Sequence, residues 1–171
     1  MLKLVGLLCI AAAFACAAVD SYFSSLRRRE LLSGILGVLG AMRREICVRF
    51  LPLPETLEKL SKEKNLSLRE FFSRCARDIR LREDVPFGEI WRSNAEKTMG
   101  EKLHREELET FCSLGSFLGC CSAAEQEREI EKAEKCFESF RESERVQGAV
   151  RGRLRAAVSL CIGAAAVILM M

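Results

Sequence analysis

RRRELLSGILGVLGAMRREI, residues 27–46, is the stretch that decides the fold. Its apolar residues fall at Leu31, Leu32, Ile35, Leu36, Leu39, Met42 and Ile46. That three-and-four spacing lays one stripe along an α-helix and cannot face a sheet. Gly34, Gly37 and Gly40 recur on the same helix at intervals of three. Each costs about 1 kcal/mol against alanine in a helix interior, so a closely packed neighbour is expected beside them. No strand precedes them, which excludes a phosphate-binding loop.

Outward from this helix the chain becomes apolar at both ends. Leu4–Val19 and Ala156–Met171 are each sixteen residues without a charge. As helices they reach about 24 Å at about 1.5 Å per residue, against a bilayer core of about 30 Å. Met1, Leu2 and a snorkelling Lys3 lengthen the first, and Leu154 lengthens the second. The reading is two transmembrane segments, residues 1–23 and 156–171, around a charged helical domain, residues 24–155. Arg27, Arg28 and Arg29 follow the first run, and Arg151, Arg153 and Arg155 precede the second. Arginines beside membrane segments stay cytoplasmic, so the domain is expected in the cytoplasm with both termini outside. Ala13–Ala17 and Ser159–Gly163 have the small-xxx-small spacing that lets membrane helices pack closely. The rival topology cleaves the N-terminal run as a signal peptide and leaves an exported binding domain on a C-terminal membrane tail. Nine cysteines in no paired framework favour a reducing compartment.

The rest of the domain also reads as helix. Pro52 and Pro54 end the first helix and start a short second one carrying Leu57 and Leu60. In LSLREFF, Ser67 as N-cap with Glu70 three later forms a capping box, and Leu66 with Phe71 a hydrophobic staple. Pro86 opens a helix carrying Phe87, Ile90, Trp91 and Ala95. A fifth carries Leu103, Leu108, Phe111, Leu114 and Leu118, with Gly119 as its stop. Ser122 and Glu125 make a second capping box, and nothing breaks the pattern from there to the terminal run. The expected fold is an all-α bundle of about six helices.

The search for chemistry returns little. His104, the single histidine, reads as a surface residue on a charged helical face. Cys120 and Cys121 with Cys112 are the alternative, a thiol site at a helical corner. No cofactor or metal is expected: there is no CxxC, no phosphate loop, and no Glu-x-x-His pair of the kind that di-metal bundles use. Basic residues are matched by acids without interleaved exposed aromatics, against nucleic-acid binding. A non-enzymatic protein that works by contact is the expectation.

The order and spacing of MLKLVG, RRRELLSGILGVLGAMRREI, PLPETLEKL, SLREFF, EIW (Glu89–Trp91), LGSFLG (Leu114–Gly119), Gln126, Ile130 and the glycine-containing tail resemble the stage III sporulation protein AB family of endospore-forming bacteria. The similarity runs nearly end to end. Members usually carry an aspartate where Ser122 stands here, and both residues cap helices well. The resemblance implies a cytoplasmic bundle similar to the platform subunits of type II secretion and type IV pilus systems. It also implies the mother-cell membrane around the forespore as location. Its implied partners are the other channel proteins, among them a secretion-type ATPase, and further copies of the chain.

Overall fold

The computed structural model describes residues 26–82 and 84–170, with side chains to residue 146. Among them are six helices and no strand. α1 covers residues 26–42 and continues into a π-helical turn, Arg43–Val48. α2 is Leu53–Leu60, α3 Leu66–Leu81, α4 Phe87–Met99, α5 Arg105–Leu114 and α6 Ala123–Met170. The chain divides into two units: residues 28–141, and residues 1–27 with 142–171.

Residues 28–141 pack around one aromatic centre. Trp91 of α4 is stacked on Phe111 of α5 at 5.0 Å and meets Phe71 of α3 edge-on at 4.7 Å. Phe111 meets Phe137 of α6 edge-on. The α1 stripe supplies Leu31, Leu32, Ile35, Val38, Leu39 and Met42, all buried. Because α1 buries every position its spacing designates except the half-buried Leu36, the expected helical core holds. Trp91 also donates its indole N–H to the Phe111 carbonyl at 2.8 Å, so its one polar atom is satisfied in the core.

Two glycines let helices approach. A Cβ on Gly34 would sit 2.8 Å from Leu68 Cδ1, so α3 lies against α1 there. At Gly115 a Cβ would fall 2.6 Å from Trp91 Cβ and Cγ, so the end of α5 rests on α4. Gly37 has nothing within 4 Å, and Gly40 meets only ordinary contacts, so the expected close neighbour exists at Gly34 alone.

Several boundaries correct the sequence reading. α3 is capped by Asn65, whose side-chain oxygen accepts from the Ser67 and Leu68 N–H groups at 3.1 and 3.3 Å. Ser67 is already inside the helix, with its hydroxyl accepting from Lys102 at 2.9 Å, and Glu70 pairs forward with Arg74 at 2.8 Å. Neither is a capping-box residue. Leu66 is exposed, so the staple with Phe71 does not form. α5 stops at Leu114, before its apolar pattern ends, and residues 115–120 turn, with Gly119 at φ +79°. The Ser122 box is present: the Ser122 N–H donates to Glu125 Oε2 at 3.0 Å, and the Glu125 N–H donates to Ser122 Oγ at 3.4 Å.

No helix among the described residues is long and apolar enough to cross a membrane, so the expected flanking transmembrane helices find no support among them. The first run, with Lys3, Ala13 and Ala17, lies outside the described residues. The α6 backbone continues through the second run. The side chains of Arg151, Arg153, Arg155, Ser159 and Gly163 lie outside the description.

Candidate functional site

The arginine triplet after the first apolar run does not stand as three free charges. Arg27 is exposed, but Arg28 and Arg29 are half-buried. Arg28 reaches from α1 to the start of α5, where its guanidinium donates to Glu107 Oε1 at 2.6 Å and also contacts His104 Nε2. Glu107 is only 2% exposed. Its second oxygen accepts the His104 backbone N–H at 2.8 Å. A carboxylate three residues into α5 thus caps the helix while neutralising a cation from α1. His104 is the extended residue that starts α5, not a member of a helical face. Its Nε2 faces a guanidinium, the opposite of the carboxylate that orients a histidine base.

Between α3 and α4, Asn94 Nδ2 donates to Asp78 Oδ2 at 3.0 Å. That hydrogen bond, with Arg77 beside it, holds the Asp78 carboxyl below its ordinary value. Burial pushes the Cys75 thiol up to about 12 and the Cys112 thiol up to about 11. Burial also raises Cys47, and the Glu127 carboxylate adds to that rise. These three thiols stay protonated at neutral pH, whereas a nucleophile or metal ligand must ionise. Cys120 and Cys136 are exposed and Cys121 is half-buried. Among the described residues no group of three or more His, Cys, Asp or Glu could hold a metal ion.

The opposite end of α1 has a different character. The turn after it is closed by the Arg49 N–H on the Arg44 carbonyl at 3.0 Å and the Leu51 N–H on the Glu45 carbonyl at 2.9 Å. Phe50 between them is left-handed, φ +52°. Glu45 braces the turn by accepting from Lys59 and Arg49, both at 2.8 Å, and the Lys59 hydrogen bond leads in lowering its pKa. Leu53 then packs on the α5–α6 corner, where a Cβ on Gly119 would lie 3.2 Å from Leu53 Cδ2. Gln126 holds that corner, its amide donating to the Cys121 carbonyl at 2.7 Å. Val48 and Phe50 remain outside, 67% and 74% exposed.

The structure thus forms one of the two sequence-designated capping boxes, Ser122 with Glu125, and draws Arg28 into the bundle. It adds three residues that pattern reading passes over: Asn65, Glu107 and Phe50. Asn65 is visible in the sequence as a cap-forming residue beside a competing serine. Glu107 sits in a charged run that reads as surface, and its burial depends on Arg28, 79 positions away.

A family model, stage III sporulation protein AB, matches residues 3–171. No curated relative and no solved structure matches the chain.

Proposed function

The chain belongs to the stage III sporulation protein AB family, and from that membership we propose that it is a membrane-anchored platform subunit of the channel or secretion-like complex between mother cell and forespore. In this reading residues 1–23 and 156–171 insert in the mother-cell membrane around the forespore. The helical domain stands in the cytoplasm and docks a secretion-type ATPase. The observation that carries the proposal is the family match across nearly the full length, since the sporulation context comes from it.

Two further features support a role by contact. The fold of residues 28–141 is a helical bundle with a core filled by aromatic and aliphatic side chains. Ion pairs join its helices, as between Arg28 and Glu107 or Arg92 and Glu109. Such pairs orient and brace elements without supplying a reacting group. Coupling then proceeds by docking and transmission, with no bond made or broken by this chain.

The proposal is tested by measuring binding of the purified secretion-type ATPase to the full-length protein reconstituted in bilayer discs. Saturable binding that empty discs lack is the expected result. Equal retention of the ATPase on empty and loaded discs removes the docking role.

A further inference from the structure

We draw no further inference here: the strongest candidate, the adjacent thiols of the exposed Cys120 and the half-buried Cys121 in the turn between α5 and α6, carries nothing, since among the described residues no third His, Cys, Asp or Glu joins them to hold a metal ion and nothing there shows what the pair would bind.

Discussion

Gly115→Ala is the sharpest test of the packing that shapes the domain. Gly115 has ordinary helical backbone, φ −58° and ψ −26°, so alanine meets no conformational penalty and the substitution isolates space. The new methyl group would lie 2.6 Å from Trp91 Cβ and Cγ and 2.8 Å from Cδ1, about 1 Å inside normal contact. Either α5 lifts from α4 or Trp91 rotates. Over-packing a filled core costs about 1–3 kcal/mol. Moving the indole also strains its 2.8 Å bond to the Phe111 carbonyl, with about 1 kcal/mol at stake. The expected destabilisation is therefore about 2–4 kcal/mol. With a urea dependence of about 2 kcal/mol per molar, the midpoint falls by about 1–2 M. Trp91 is the single tryptophan and is fully buried, so its fluorescence reports the perturbed site directly. Gly37→Ala, with nothing within 4 Å, is the matched control and should gain about 0.5–1 kcal/mol. Equal midpoints for Gly115→Ala and wild type would refute the close α4–α5 contact.

Three further outcomes follow from named contacts. Asn65→Ala should cost about 0.5–2 kcal/mol as a lost helix cap, and Ser67→Ala distinctly less, measured by thermal melts of both. Asp78 carries a lowered pKa because Asn94 hydrogen-bonds its charged form, so its contribution is present above the ordinary value of 3.8 and is lost as pH falls through the lower folded value. Asp78→Asn should therefore flatten that acid limb in urea titrations carried from about pH 4 downward, while an unchanged limb would place the titration elsewhere. Cys120 and Cys136 are exposed, whereas Cys75 and Cys112 are buried with raised thiol pKa. Mass spectrometry after brief alkylation at pH 8 should find the first pair modified and the second pair intact until denaturant is added.

The parts of this fold that were legible in the sequence are those set within a few residues. The α1 stripe from Leu31 to Met42 is a periodicity, and every member except the half-buried Leu36 lies in the core. The Ser122–Glu125 box spans three residues and forms as read. What was misread depends on distant partners. Ser67 and Asn65 are both capable caps, and Lys102, 35 residues on, engages the Ser67 hydroxyl while Asn65 closes the helix. The apolar pattern of α5 runs on to Leu118, yet the chain turns after Leu114 where Gly115 meets Trp91. Glu107 reads as a solvated charge in a charged run until Arg28 arrives from α1. Phe50 follows from the π-helical closure of α1, a backbone event with no residue signature of its own.

The central claim is a helical domain held in the cytoplasm by membrane segments at both ends, and cysteine accessibility in oriented membrane vesicles tests it most directly. The buried Cys112 is unsuitable as a reporter, so one form would keep only the exposed Cys136 and another a single cysteine added after Met171. A membrane-impermeant maleimide is expected to reach Cys136 from the cytoplasmic face and the added cysteine from the opposite face. Labelling of Cys136 from outside would contradict the account and leave the exported binding domain in its place.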